Sequence, residues 1–139
     1  ENKAHIKTGF SIGGLAWLPP DLITKLPFVK RLFITEGIFD AMALNEHGYH
    51  AISSISCNKY PHIALQQLKD HYNRLRMTLP TLVFAYDNDK AGQRYTRDFI
   101  AKARQQGFEA TAIQPPYGKK QDWNDLHKAK ATDCRQSKR

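Results

Sequence analysis

Short apolar runs alternate with helical segments along most of the chain, and this alternation limits the fold more than any other feature. Four apolar runs predict strands, at residues 31–35, 50–55, 81–86 and 110–113. Three segments with helical spacing follow or separate them, at residues 38–47, 61–75 and 90–106. Strands separated by helices usually pair in parallel and are covered on both faces. The chain is therefore predicted to have an α/β fold with a roughly four-stranded, mainly parallel sheet.

The length of the chain and its turn-forming residues divide it into three predicted parts. At 139 residues it fits one compact domain. We expect residues 1–28 to be an N-terminal extension or the remnant of a preceding domain, residues 29–128 to form the main domain, and residues 129–139 to form a basic tail. Because the chain begins with Glu rather than Met, we also expect it to be a fragment of a longer protein.

The charge of the chain favours a polyanionic partner. Lysine and arginine number 21 against 13 acidic residues, a net charge of +8, which favours nucleic acid. No apolar run approaches the roughly 20 residues that cross a bilayer, so no membrane partner is expected. The two cysteines, Cys57 and Cys134, are too few for a four-ligand zinc ribbon and argue against a disulfide framework. A reducing, cytoplasmic location follows as the expectation.

Acidic residues follow three of the predicted strands, close to the points where those strands end. Glu36 follows the first strand, Asp87 and Asp89 follow the third, and Asp122 follows the fourth. Ligands of open α/β sheets collect at the carboxyl ends of the strands. These four side chains are therefore expected to meet along one edge of the sheet.

The Asp87-Asn88-Asp89 segment predicts a metal site. Alternate residues of an extended segment point the same way, so both carboxylates can face one ion. Two carboxylates about 4 Å apart repel by about 4 kcal/mol at an effective dielectric near 20. A cation would offset this repulsion, and hard oxygen ligands select Mg²⁺, Mn²⁺ or Ca²⁺. The alternative is a solvated turn, since Asp and Asn favour turns.

The Glu36-Gly37 pair has two interpretations. Glycine after the glutamate suits a tight strand-to-helix turn or a close approach to a ligand. Acidic residues at the start of a helix also complement the helix dipole without any further role. Asp40, about one turn into the helix, is expected to support the site from behind, and Asp125 is expected to be a cap or a supporting residue.

Basic residues close to the acidic ones predict phosphate contacts. Lys90 and Arg94 lie one helical turn apart, directly after the acidic pair, and Lys119 and Lys120 precede the last acidic segment. With a metal ion on one side and cations on the other, a phosphate would be held between them. Gly92, near the helix start, is expected to let that phosphate approach the helix N-terminus.

Two segments resemble the signature motifs of the Toprim domain. They are residues 35–44, TEGIFDAMAL, and residues 85–92, AYDNDKAG. This domain is shared by DnaG-type primases, type IA and II topoisomerases, OLD-type nucleases and recombination-repair proteins. The segment at 120–126, KQDWNDL, is most similar to primases of phages, plasmids and other mobile elements. The resemblance covers roughly residues 31–126 and implies the Toprim version of a Rossmann-like fold.

The same resemblance implies roles for the acidic residues. Glu36 would be the catalytic acid/base or would support the metal, Asp87 and Asp89 would bind Mg²⁺ (or Mn²⁺), and Asp122 would lie near a second metal. The implied activity is that of a DNA primase, which makes RNA primers from nucleoside triphosphates on single-stranded DNA, with a replicative helicase as a further partner to test. A Toprim nuclease and a non-catalytic nucleic-acid-binding module stay open as alternatives.

Overall fold

Four short parallel strands form the sheet at the centre of the fold. The computed structural model describes residues 13–114. Its strands are β1 (Arg31–Thr35), β2 (Ala51–Ser53), β3 (Thr81–Phe84) and β4 (Ala110–Ala112). They lie in the order β2-β1-β3-β4, and each neighbouring pair is parallel. The predicted α/β class and the four-stranded parallel sheet are confirmed.

The helices follow the predicted pattern except near the start of the described residues. They are α1 (Leu22–Lys25), α2 (Ile38–Glu46), α3 (His62–Arg74) and α4 (Lys90–Gln105), with a 3₁₀ turn at Leu26–Phe28. Gly48 and Gly107, just beyond the ends of α2 and α4, have φ of +86° and +99°, the left-handed conformation that glycine adopts without strain. The helix predicted at residues 61–75 is one residue shorter at its end, since α3 ends at Arg74 and Leu75 is 49% exposed.

The sheet is covered on both faces, because successive side chains of its strands point to opposite faces and are buried on each. Leu32 and Ile34 face a large core that α3 and α4 complete, while Phe33 between them faces a smaller core formed with α2. Helices α2 and α4 therefore lie on opposite faces of the sheet. This difference places the candidate site, because α2 follows β1 and α4 follows β3.

Part of the segment expected to precede the main domain packs directly on the sheet. Leu22 and Leu26 are buried in the larger core, and Trp17 forms an isolated antiparallel bridge with Ser53 at the end of β2. This segment has no periodic pattern in the sequence, because a four-residue helix followed by a proline-containing turn is too short to show one. Within residues 13–114, no helix has the length and apolar character needed to cross a bilayer.

Candidate functional site

The sheet changes its direction of winding between β1 and β3. From β1 the chain passes through α2 to β2 on one side, and from β3 it passes through α4 to β4 on the other. Helices that depart toward opposite faces leave a crevice outside the carboxyl ends of the two central strands, where open α/β sheets bind ligands. Glu36 comes directly after β1, and Asp87 lies three residues beyond the end of β3. The register pairs Ile34 with Phe84, so both acids leave from the same edge.

The turn that carries Glu36 is held by a hydrogen bond between the residues on either side of it, Thr35 and Gly37. The hydroxyl of Thr35 donates a hydrogen bond of 2.8 Å to the carbonyl oxygen of Gly37. Gly37 is extended, with φ of −96°, and a Cβ at this position would lie 3.0 Å from Oδ2 of Asp40. Asp40 is buried in the first turn of α2. The close neighbour of this glycine is therefore the Asp40 carboxylate, which lies where a residue supporting the site was expected.

Asp89 begins α4 as its N-cap. One carboxylate oxygen, Oδ1, accepts a hydrogen bond of 2.7 Å from the backbone N–H of Gly92. A carboxylate offers two oxygens with several lone pairs, so the capping bond leaves acceptor capacity on Asp89 for a second partner. The start of α2, by contrast, has no side-chain capping bond.

Gly92 is required because the acidic turn lies close to it. A Cβ at this position would lie 2.2 Å from the carbonyl oxygen of Asp87 and 3.2 Å from Oδ1 of Asp89. The space that glycine leaves is thus filled by the chain's own acidic turn. The N–H of Gly92 is taken up by Asp89, and the approach of a phosphate to the start of α4 stays a prediction.

Cys57 shows that the two acidic segments share one electrostatic environment. It follows β2 and is partly buried. Burial raises the pKa of the Cys57 thiol to about 11, and the charge of Glu36, a hydrogen bond with Glu36 and the charge of Asp89 act in the same direction. The thiol therefore contacts Glu36 and lies within electrostatic range of Asp89. Sequence reasoning considered Cys57 only as a disulfide or zinc residue and missed this position.

The donor atoms at this edge suit a hard divalent cation. Oδ1 of Asp87 is buried, and Glu36 and Asp89 bring further carboxylate oxygens to the same edge. Within the described part of the chain, no group of three or more His, Cys, Asp or Glu side chains is arranged to hold a metal ion. Mg²⁺ is commonly bound by one or two carboxylates, with water and substrate phosphates completing its shell. The carboxylates therefore fit an ion of this kind, although they do not form a closed cage.

The remaining predicted residues fall into two groups. Lys90 and Arg94 are exposed on the first turns of α4, close to the acidic turn in sequence. Four others lie outside the described residues and stay predictions; they are Lys119, Lys120, Asp122 and Asp125.

The loop after β2 carries functional candidates that sequence reasoning missed. Ser53 and Ser54 are fully buried. The hydroxyl of Ser53 is hydrogen-bonded to the backbone of Glu36, and that of Ser54 to the hydroxyl of Tyr86, the residue before Asp87. A signal was present, because three serines and a cysteine lie within five residues at a strand's carboxyl end, from Ser53 to Cys57. Tyr86 is buried, and its hydroxyl is hydrogen-bonded to Ser54.

A family model described as Toprim-like matches residues 33–127, more than half of the chain. The chain belongs to the Toprim-like family. The matched span contains Glu36, the Asp87–Asp89 turn and the loop after β2, so the edge described above lies wholly within the family domain. The resemblance expected from the two acidic motifs is thereby confirmed.

Relatives of this Toprim-like domain are primases. A DNA primase of Mycoplasma genitalium is 29% identical over 107 residues, which cover 76% of the chain and 16% of that primase. The fold is similar to the structure of the DnaG primase catalytic domain bound to ssDNA, with a TM-score of 0.63 and 21% identity over 96% of the chain and 42% of that structure. It is also similar to the RNA polymerase domain of Mycobacterium tuberculosis primase DnaG, with a TM-score of 0.60 and 19% identity over 80% of the chain and 37% of that structure. The chain thus spans less than half the length of each of these proteins.

Proposed function

We propose that this Toprim-like domain is the metal-dependent catalytic module of a DNA primase, which uses nucleoside triphosphates to make RNA primers on single-stranded DNA. The observation that carries the proposal is the convergence of Glu36 with Asp87 and Asp89 at the winding reversal of the sheet. The primase assignment, rather than another Toprim activity, draws on the similarity to the Mycoplasma genitalium DNA primase.

The acidic residues have distinct roles in this proposal. Asp87 and Asp89, with Glu36 beside them, would hold Mg²⁺ or Mn²⁺, which stabilises charge on the phosphates and makes the attacking hydroxyl more acidic. Glu36 accepts the proton of the 3′-hydroxyl while that oxygen bonds to the α-phosphorus and the bond to pyrophosphate breaks. Cys57 donates a hydrogen bond to the Glu36 carboxylate and thereby restricts its direction.

Exposed cations beside this edge would hold the polyanionic partners. Lys90 and Arg94 lie on the first turns of α4, and the whole chain carries a net charge of +8. Lysine and arginine contacts to phosphate bind nucleic acid without regard to sequence and weaken with salt. The cytoplasmic location and the replicative helicase partner expected from the sequence belong to the same proposal.

Primer synthesis by the protein that carries this domain tests the proposal. Glu36→Gln and Asp87→Asn are each expected to lower synthesis at least about 100-fold, the usual scale for loss of a proton acceptor or of charge stabilisation. The control variants Glu109→Gln and Asp98→Asn make the same chemical changes at exposed acids, before β4 and on α4. Their rates of primer synthesis should stay within about twofold of the wild-type rate. Full activity in both site variants would refute the mechanism.

Two other outcomes would assign a different function. Cleavage of DNA strands with Mg²⁺ or Mn²⁺ and without ribonucleotides would favour a Toprim nuclease. The capping bond of Asp89 favours a third hypothesis, in which the acidic turn is structural and the domain binds nucleic acid without catalysis. In that case Asp87→Asn would leave DNA affinity unchanged or improved, and titration with Mn²⁺ would show no specific binding.

A further inference from the structure

Ser53, the last residue of β2, is hydrogen-bonded to the backbone of Glu36. Its side chain is fully buried, and its hydroxyl donates a hydrogen bond of 2.9 Å to the carbonyl oxygen of Glu36. Oγ of Ser53 in turn accepts a hydrogen bond of 2.9 Å from the backbone N–H of Ile55. The backbone of Glu36 is therefore held by a strand that contributes no acid to the site.

Ser54 extends this connection to the other acidic segment. Its Oγ lies 2.9 Å from the carbonyl oxygen of Ser56, 3.3 Å from that of Thr35 and 2.7 Å from the hydroxyl of Tyr86. Carbonyl oxygens only accept, so the single hydroxyl hydrogen of Ser54 is directed to them, and Tyr86 is the donor to Ser54. Thr35 immediately precedes Glu36, and Tyr86 immediately precedes Asp87. One buried hydroxyl thus connects the approaches to both acids.

The position of these contacts matters because the sheet ends before the site. β1 ends at Thr35 and β3 at Phe84, and the helices that follow depart toward opposite faces. The regular pairing of the strands therefore stops short of Glu36 and Asp87. The Ser54–Tyr86 hydrogen bond lies at the level where that pairing has ended.

The backbone of the loop supports the same conclusion. Ile55 has φ of 69°, in the left-handed region, which is a strained conformation for a β-branched residue. Such a conformation persists only where the surroundings fix it. Here the fixed neighbours are Ser53 and Ser54, whose hydroxyls are both engaged with the acidic edge.

We propose that Ser54 and Tyr86 are positioning residues that set the placement of Glu36 relative to Asp87. The proposal rests on the proposed primase function for its catalytic consequence. Neither residue contacts substrate in it; each acts by fixing the segment in front of an acid. Displacement of a reacting group by about 1 Å can lower a rate by about 100-fold, so a buried hydrogen bond at this level has a measurable effect.

A matched pair of substitutions separates positioning from ordinary stability. Tyr86 and Tyr72 are each 1% exposed, and each hydroxyl makes a hydrogen bond of 2.7 Å, Tyr86 to Ser54 and Tyr72 to the carbonyl oxygen of Leu26. Tyr72 lies at the opposite edge of the sheet, beside Thr81. Tyr86→Phe and Tyr72→Phe should be destabilised to a similar extent. Tyr86→Phe, and likewise Ser54→Ala, should lower kcat about tenfold with KM within about twofold, whereas Tyr72→Phe should change neither.

Alkylation of Cys57 gives a readout that does not depend on catalysis. In a Cys134→Ser background, Cys57 is the one remaining thiol of the chain. Burial raises the pKa of Cys57 most, and the charge and hydrogen bond of Glu36 raise it further. A displaced Glu36 should therefore speed the reaction of this thiol with a maleimide, measured by mass spectrometry without metal. We expect about a threefold faster reaction in Tyr86→Phe and an unchanged rate in Tyr72→Phe.

The alkylation rate tests the positioning role, and primer synthesis with Mn²⁺ binding tests the proposed function, so that failure of one can be told from failure of the other. Equal alkylation rates in Tyr86→Phe and Tyr72→Phe would overturn the positioning role, whatever the variants do to primer synthesis. A faster rate in Tyr86→Phe, together with a wild-type protein that neither makes primers nor binds Mn²⁺, would reject the proposed function and leave the placement of Glu36 by Ser54 and Tyr86 supported.

Discussion

Asp89 combines a capping role with a proposed metal role, and two substitutions separate them. Its Oδ1 accepts the hydrogen bond from the N–H of Gly92 at the start of α4. Asparagine has an oxygen in the same place and is an equally good N-cap, but it lacks the negative charge of a Mg²⁺ ligand. Asp89→Asn therefore removes the metal role alone, whereas Asp89→Ala removes both roles.

The size of each effect follows from the geometry of the cap. Loss of an N-cap side chain lowers the free energy of unfolding by about 1 kcal/mol. Loss of a negative charge at a helix start costs about 0.3–1 kcal/mol, and the partial exposure of Asp89 places it in the lower half of this range, at about 0.5 kcal/mol. Asp89→Ala is therefore expected to lose about 1.5 kcal/mol and Asp89→Asn about 0.5 kcal/mol. At about 4 °C per kcal/mol, Tm falls by about 6 °C and 2 °C.

Two measurements decide the prediction. Urea unfolding, followed by far-UV circular dichroism in EDTA, reports the cap, and titration with Mn²⁺ followed by electron paramagnetic resonance reports the metal. Asp89→Asn should remain near wild-type stability and bind Mn²⁺ at least about tenfold more weakly, a loss of about 1.4 kcal/mol. If it unfolds as easily as Asp89→Ala, the capping argument is wrong. If it binds Mn²⁺ as tightly as the wild type, Asp89 is not a ligand.

Three further predictions concern the same edge. Gly92→Ala should lower the free energy of unfolding in urea by about 1–3 kcal/mol, because the new Cβ would lie 2.2 Å from the carbonyl oxygen of Asp87. Stability should also fall as the pH rises from 9 to 11, because the pKa of Cys57 is raised from 9.0 to about 11 and the unfolded thiol loses its proton first. Cys57→Ala should reduce this fall, measured by urea unfolding at each pH, by no more than about 1 kcal/mol, since solvent screens a partly exposed thiol. Lys90→Gln and Arg94→Gln should each lower the slope of log affinity for single-stranded DNA against log salt by about 0.7, measured by fluorescence anisotropy.

Each of these predictions has a clear contrary result. Alanine is the better helix former, so a Gly92→Ala protein at or above wild-type stability would show that the acidic turn yields to the new methyl group. An equal fall with pH in the wild type and Cys57→Ala would assign the alkaline loss to other groups. Lys25, which forms an ion pair with Asp21 on α1, provides the control for salt dependence. Lys25→Gln should leave the slope unchanged, and an equal change in all three variants would indicate a diffuse charge effect.

Most of the sheet could be predicted because its strands carry their own pattern. β1 and β3 are short apolar runs, and α4 has buried Phe99 and Ala103 one turn apart on its core face. β2 is only three residues long, so its ends were placed too widely. α1 could not be predicted, since its place in the fold depends on Leu22 and Leu26 filling a core built by distant strands.

The candidate site could be predicted only in part for a related reason. Its acids follow strands, and a general rule for α/β sheets then brings them to one edge. The residues that fix those acids are not visible in local spacing. Ser54 and Tyr86 are 32 residues apart in sequence, and Cys57 and Glu36 follow different strands, β2 and β1. Both contacts therefore arise only once β2, β1 and β3 are assembled into the sheet.

The structure also changes the physical basis for a metal ion at Asp87 and Asp89. Repulsion between two carboxylates on an extended segment was the reason for expecting a cation. Asp89 instead lies at the N-terminus of α4 and accepts a backbone N–H, and the positive end of the helix already stabilises its charge. The metal inference therefore depends on Glu36 reaching the same edge from β1. With two or three carboxylates and no closed cage among residues 13–114, metal affinity should be weak alone and rise when a nucleoside triphosphate supplies further oxygen ligands.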